Sequence, residues 1–136
     1  MPAEAKGRSE ASAKAFVRFW VDTLNYAGSS GDTAELKRIS HADCTSCEGV
    51  IGSIDRVYAD GGHYMGRGWS VETIKYQPLQ PRKKPVLTVG VDIAPQKVLE
   101  KRGGKTTTFD GGNRSMTFRL GAAEGEWILL QLDQPQ

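Results

Sequence analysis

The 136-residue sequence has little of what several large classes of protein require. It holds two cysteines, too few for a domain built on a network of disulfides. No apolar run approaches the roughly 20 residues of a membrane-spanning helix. The composition is neither collagenous nor that of a coiled coil or a strongly disordered chain. We therefore expect one soluble domain, because a chain of this length buries roughly two thirds of its unfolded surface.

Short catalytic motifs are also missing. The G-x-S-x-G of serine hydrolases does not occur, and the two histidines, His41 and His63, leave little room for a Ser–His pair. Gly104-Lys105-Thr106 resembles the end of a phosphate-binding loop, but Leu99 stands where that motif needs its first glycine. We expect no cofactor.

The small net charge of +2 hides an uneven distribution. Residues 67–119 hold eleven Lys and Arg against four Asp and Glu, whereas both flanking regions are acidic. A nucleic-acid partner would need clustered basic contacts, and this excess is diffuse. The densest cluster, Arg82-Lys83-Lys84, lies between two prolines and predicts a hairpin loop. We predict a solvated surface and no nucleic-acid partner.

Hydrophobic periodicity predicts three helices in the first half of the chain. An amphipathic stripe through Phe16, Trp20 and Leu24 marks the first, with Gly28 as its stop. Spacings of three and four residues mark the third, with Gly61-Gly62 as its end. The predicted bounds are about Glu10 to Ala27, Asp32 to near Ser40, and Cys44 to Asp60.

After Gly62 the apolar period changes from 3.6 to 2, which is typical of strands. The last predicted strand is nearly all apolar, so we expect it to be central or covered on both faces. The predicted strands are Trp69 to Tyr76, Val86 to Ile93, an edge segment from Gln96 to Arg102, Met116 to Leu120, and Trp127 to Leu132.

This order predicts an α+β fold in which three N-terminal helices pack on a curved antiparallel sheet of about four strands. Residues 10–133 form the single domain. Residues 1–9 have no apolar pattern and predict a flexible leader, and residues 134–136 a short tail. These first residues contain no apolar run after a basic start, so we do not expect them to be a secretory signal.

Cys44 and Cys47 are the sharpest local feature. The two residues are three positions apart at the start of a predicted helix, so their sulfurs lie on one side of that helix. A disulfide that fastens the helix start is the preferred interpretation. The alternatives are a redox site, since a helix N-terminus lowers a thiol's pKa, and reduced, inert thiols. A zinc site with His41 and His63 is disfavoured, because the third helix separates His63 from Cys44 by about 25 Å. No metal is predicted.

Several short motifs follow one another along the chain: Ala15-Phe16-Val17-Arg18, Leu24-Asn25-Tyr26-Ala27, Gly31-Asp32-Thr33, Asp43-Cys44-Thr45-Ser46-Cys47, Gly61-Gly62 and Gly68-Trp69. In this order they resemble an uncharacterised family of actinobacterial secreted lipoproteins. The element order also resembles the nuclear transport factor 2-like cone shared with ketosteroid isomerases, a cystatin-like arrangement.

The resemblance implies a lipid-anchored, extracytoplasmic domain whose signal and lipidated cysteine have been removed, with residues 1–9 left from a linker. It implies no reaction. It does imply a pocket inside the cone, and the candidates for its wall are Trp20, Tyr26, Tyr58, His63, Tyr64 and Trp69.

Three functions fit such a pocket. The preferred one is a non-catalytic module that binds a small ligand or an envelope protein. An enzyme would instead show two titratable groups converging in the cone, for which Asp55 and Asp92 are weak candidates because both are expected to face solvent. A homodimeric scaffold would bury its open sheet face against a second copy.

Overall fold

A computed structural model describes residues 2–77 and 85–134. It confirms a mixed α+β fold in which the helices precede the strands. A short 3₁₀ turn at Ala3–Ala5 comes before the first helix. The helices are α1 (Glu10–Ser30), α2 (Ala34–Arg38) and α3 (Thr45–Ala59).

The strands form two antiparallel sheets, so the expected single sheet of about four strands was wrong. One sheet has the order β1-β4-β5 and the other the order β2-β3-β6-β7. The bounds are β1 (Gly61–Met65), β2 (Trp69–Gln77), β3 (Val86–Ile93), β4 (Gln96–Lys101), β5 (Thr106–Phe109), β6 (Gly112–Ala123) and β7 (Glu126–Asp133).

The sequence pattern missed β1 and β5 and misplaced β4. All four residues of β5 are exposed, so no apolar alternation marks it. β1 begins with two glycines, which the sequence predicts only as a helix end. β4 was expected at an edge, but it lies between β1 and β5.

The apolar sequence of β7 predicts a strand that is central or covered on both faces, and the structure places β7 at the edge of its sheet. The connection after α2 covers that edge. The N–H of Leu129 donates to the carbonyl of Ile39 at 2.9 Å, and the N–H of His41 donates to the carbonyl of Leu129 at 2.8 Å. A covered edge accepts apolar side chains much as a central strand does, which explains the apolar sequence of β7.

α1 extends one turn past the predicted stop at Gly28. It ends at Gly31, whose φ of 81° is left-handed. A Cβ at Gly31 would lie 2.6 Å from Cγ of Tyr58, so only glycine fits there. The stop is therefore set by contact with α3, which no local signal within α1 reveals.

The core lies between α1 and the inner face of the four-stranded sheet. Indole N–H groups inside it have partners: Trp20 Nε1 donates to Ser40 Oγ at 2.9 Å, and Trp127 Nε1 to Ser12 Oγ at 3.1 Å. Within residues 2–77 and 85–134, every buried side-chain polar atom has a hydrogen-bond partner. The fully buried apolar residues include Phe16, Trp20, Leu87, Val89, Val91, Phe118, Leu120 and Leu129.

The leader predicted for residues 1–9 contacts the domain at two points. Ala5 is fully buried, and the Arg8 guanidinium lies 4.9 Å from the centroid of the Trp127 ring. This segment thus packs at the start of α1. The predicted basic hairpin at Arg82-Lys83-Lys84 and the last two residues of the predicted tail lie outside the described residues.

α2 is shorter than predicted. Side-chain contacts of Asp32, Thr33 and Lys37 stabilise its start. Asp32 Oδ1 accepts a hydrogen bond from the N–H of Ala34 at 3.1 Å. The buried Thr33 hydroxyl donates to Asp55 Oδ1 at 2.6 Å, and Lys37 Nζ lies 3.0 Å from Asp55 Oδ2. The Thr33 hydrogen bond, and secondarily Lys37, lowers the pKa of Asp55 below its usual range.

We expect Asp55→Asn to destabilise the protein by up to about 1 kcal/mol at neutral pH, a loss limited by the side chain's exposure to solvent. Because the folded pKa is lowered, the stabilisation exists above the unfolded value of about 3.9 and disappears as the pH falls through the folded value. Urea unfolding at several pH values measures it. Asp110→Asn is the control, since Asp110 is exposed and takes part in none of the salt bridges of the described residues. A deficit that persists unchanged at pH 2 would contradict the assignment.

A carboxamide joins α1 to the four-stranded sheet. Asn25 Nδ2 donates to the carbonyl of Trp69, and Asn25 Oδ1 accepts from the N–H of Trp69, both at 2.9 Å. Gly68 precedes this pairing with a φ of 81°, and a Cβ there would overlap Asn25 Oδ1. The motif residues Asn25 and Gly68-Trp69 thus form one structural unit.

We expect Gly68→Ala to lower the free energy of unfolding by more than the about 1–3 kcal/mol of backbone strain alone. Gly125→Ala is the matched control, because Gly125 has a φ of 82° and no atom near a Cβ. The difference between the two variants in urea unfolding measures the disruption of the Asn25–Trp69 pairing. Equal losses would show that this pairing tolerates the methyl group.

Candidate functional site

An open cleft of about 770 Å³ lies in the described part of the chain. This volume is within the range of small-molecule sites, about 300–1,000 Å³. Its walls are the last turns of α1, one face of α3, the β1–β2 connection and the start of β4. The lining residues include Leu24, Asn25, Tyr26, Gly28, Ser29, Ser46, Gly49, Val50, Ser53, Ile54, Tyr64, Met65, Gly66, Arg67, Gly68, Trp69 and Gln96.

The walls of the cleft are mainly apolar and aromatic, and several of the side chains that α3 contributes are small. Ser46, Gly49 and Ser53 lie three and four residues apart and so share one helix face. Their small side chains leave the helix surface open to a ligand. Across the cleft, Tyr64 and Trp69 offer flat apolar surfaces, which carry much of the binding energy in protein sites.

Three of the six predicted pocket residues line the cleft: Tyr26, Tyr64 and Trp69. Tyr26 is 55% exposed at the rim. Tyr64 and Trp69 are half-buried. The β1–β2 connection brings them together with the end of α1.

The other three lie elsewhere. Trp20 is fully buried behind the cleft, with its ring centroid 6.3 Å from that of Trp69. The Tyr58 hydroxyl donates to the carbonyl of Gly28 at 2.6 Å, so this side chain fastens α3 to α1 behind the wall. His63 is exposed on β1, and its neighbour Tyr64 faces the cleft, because successive strand residues point to opposite faces.

Sequence reasoning missed much of the α3 wall and of the β1–β2 connection. Ser46, Asn25 and Gly68 did stand in motifs of the resemblance, which was a usable signal. Gly49, Ser53 and Gln96 carried none, because each is an ordinary small or polar residue until the fold brings it to the cleft.

The cleft has hydrogen-bonding groups but no carboxylate among its described lining residues. Arg67 is the charged side chain in that lining. Burial raises the pKa of Tyr64, so its hydroxyl stays protonated at neutral pH and donates hydrogen bonds. Asp55 instead pairs with Thr33 and Lys37, and Asp92 is exposed on β3.

Cys44 and Cys47 lie at the start of α3 with their sulfurs at disulfide distance, 2.05 Å. Both residues are fully buried. Cys44 is the N-cap residue, and its Sγ accepts from the N–H of Cys47 at 3.2 Å. Among residues 2–77 and 85–134, no cluster of three His, Cys, Asp or Glu side chains is arranged to hold a metal.

We expect Cys44→Ala/Cys47→Ala to lower the free energy of unfolding by about 2 kcal/mol, the chain-entropy value for so short a loop. Denaturant unfolding measures the change. Wild-type protein in reductant should lose a similar amount, and the double variant should not respond to reductant. Thiol titration of the protein unfolded in denaturant without reductant should find no reactive thiol, and two reactive thiols would contradict the disulfide.

A family model matches residues 1–133, with the description "Family of unknown function (DUF6318)". The chain belongs to this family. No protein with a curated description matches the sequence. The membership accounts for the full domain and brings no activity with it.

Two solved structures are similar in fold. The intermembrane space region of the chloroplast protein ARC6 has a TM-score of 0.64 at 9% identity, covering 94% of this chain and 98% of that one. A putative calcium/calmodulin dependent protein kinase II association domain from Xanthomonas campestris has a TM-score of 0.47 at 12% identity, covering 93% and 87%. At such identities, the first similarity concerns the fold alone.

Proposed function

We propose that this DUF6318 domain is a non-catalytic binding module that takes up an apolar group in the cleft between α1 and α3. The observation that carries the proposal is the composition of that cleft. Its described lining combines aromatic and aliphatic walls with neutral hydrogen-bonding groups and one cation, Arg67. Concave apolar sites with a few convergent polar groups are typical of ligand binding.

The enzyme alternative requires two titratable groups that converge in the cleft with shifted pKa values. Tyr64 alone meets this description among the described lining residues, and its raised pKa favours hydrogen-bond donation over proton abstraction. The composition of the cleft therefore supports binding over acid–base catalysis.

We further propose that the fold is a nuclear transport factor 2-like cone. The helix-then-strand order and the four-stranded sheet packed on α1 support this assignment. A cleft at the end of the helical layer is where such a cone would open.

We also propose an extracytoplasmic location for the module, anchored at the cell membrane through a lipidated N-terminal segment. The Cys44–Cys47 pair supports an oxidising compartment, where disulfides persist. None of the helices within residues 2–77 and 85–134 is long and apolar enough to cross a membrane. The 21 residues of α1 separate the N-terminal segment from the cleft. Since α1 is about 30 Å long, an N-terminal anchor would leave the cleft accessible to partners.

The binding proposal can be tested with the dye 1-anilinonaphthalene-8-sulfonate, which combines aromatic rings with an anion. Gly49 and Gly52 both lie on α3 with open space where a Cβ would stand, but Gly49 lines the cleft and Gly52 does not. We expect Gly49→Leu to weaken dye binding about tenfold or more, and Gly52→Leu to leave it unchanged.

Fluorescence titration measures the dye affinity. Both substitutions replace a helix glycine by the same residue, so each should stabilise the fold by up to about 1 kcal/mol, which thermal unfolding can confirm. Equal dye binding by the two variants would place the dye outside the cleft and refute the proposed function.

A further inference from the structure

A second cavity of about 420 Å³ adjoins the cleft. The two cavities share Ser53, Tyr64 and Gln96 in their walls, so they lie side by side between α3 and the three-stranded sheet. We call these two adjoining cavities the α3 groove. The second cavity is lined by Ser53, Arg56, Val57, Asp60, Tyr64, Gln96, Val98, Glu100 and Phe109.

The length of the α3 groove follows from the helix that forms one side of it. Ser46 lines its beginning and Asp60 its end. At 1.5 Å per residue this stretch of helix is about 21 Å long. An extended peptide rises about 3.3 Å per residue, so about six residues fit along the groove.

The apolar surface of the groove is open. Tyr26, Met65 and Phe109 are the large apolar residues most exposed in the described chain, at 55%, 37% and 49%. All three line the groove, the first two in the cleft and the third in the second cavity. An enclosed tunnel would suit a lipid chain, whereas exposed apolar side chains along an open groove suit a macromolecular segment.

Neutral polar side chains lie among these apolar residues. The side chains of Ser46, Ser53 and Gln96 line the groove and donate or accept no hydrogen bond with another described residue. Their hydroxyl and amide groups can therefore pair with the N–H and C=O groups of a peptide backbone. An acyl chain would leave them without partners.

The two cavities of the groove differ in the sign of their charge. Arg67 lies in the cleft, and the second cavity holds Asp60 and Glu100 with Arg56, a net negative charge. A ligand with an acidic group at the first end and a basic group at the other would be complementary. Such complementarity fixes orientation and specificity more than raw affinity.

We propose that the α3 groove binds an extended peptide segment of a partner protein. The segment has about six residues, with large apolar side chains between an acidic residue near Arg67 and a basic residue near Asp60 and Glu100. This inference rests on the proposed function, because it assigns the class of ligand to the same cleft.

The test is selection of phage-displayed random heptapeptides on the full chain. Ser53→Trp fills the junction of the two cavities and serves for counter-selection. Gly52→Trp carries the same side chain on the neighbouring helix position outside the groove and serves as the matched control. We expect enriched peptides to carry the acidic–apolar–basic pattern. Their synthetic forms should bind at least about tenfold more weakly to Ser53→Trp and equally well to Gly52→Trp.

Charge reversal tests the orientation. We expect Arg67→Glu to weaken an enriched peptide and to favour its variant with the acidic residue replaced by lysine. Unchanged preference would overturn the orientation and with it the proposed motif.

Other results would overturn the peptide assignment itself. These are no enrichment over Ser53→Trp, equal binding to Ser53→Trp and Gly52→Trp, or binding of dodecanoate or a linear hexasaccharide where no peptide is enriched. The dye experiment separates the two proposals. If the dye binds the cleft and peptides do not, only the peptide inference fails, and if neither binds, both fail.

Discussion

The pairing of the Asn25 carboxamide with the backbone of Trp69 is the contact on which the arrangement around the cleft depends. It gives the first residue of β2 both a donor and an acceptor on α1, much as a neighbouring strand would. Gly68 makes it possible, since any side chain there would displace the amide. Once Trp69 is fixed, its ring packs near Trp20 on one side and faces the cleft on the other.

Tyr58 provides the second connection in the same region. Its hydroxyl donates to the carbonyl of Gly28, and the same hydroxyl oxygen accepts from the N–H of Tyr64 at 3.5 Å. The Tyr58 hydroxyl thereby connects α3 to both α1 and β1. The small residues of α3 lie between α1 and the β1–β2 connection and are not covered by either. The cleft therefore arises because one face of α3 carries little side-chain volume.

The spacing of apolar residues predicted the bounds of the helices and strands in which that spacing is most regular. The bounds of β3 agree with its alternation of apolar residues, and α3 agrees within one residue at each end. The end of α1 could not be predicted in this way, because Gly28 and Gly31 are both glycines that can end a helix. They differ in the folded protein, where a Cβ at Gly31 would meet the ring of Tyr58 and a Cβ at Gly28 would meet no atom. β5 was invisible because none of its side chains is buried.

The sequence by itself determined the class of fold, the order of helices and strands, and the closeness of Cys44 and Cys47, since each depends on neighbours within a few residues. It also supplied three cleft residues, which are aromatic and so drew attention wherever they stood. Only the tertiary structure decided that the site is a groove along α3. The groove is assembled from α1, α3, the β1–β2 connection and the three-stranded sheet. Contacts between residues so far apart in the chain leave no periodic trace in the sequence, and the small and polar members of the wall, such as Gly49, Ser53 and Gln96, reach it only through packing.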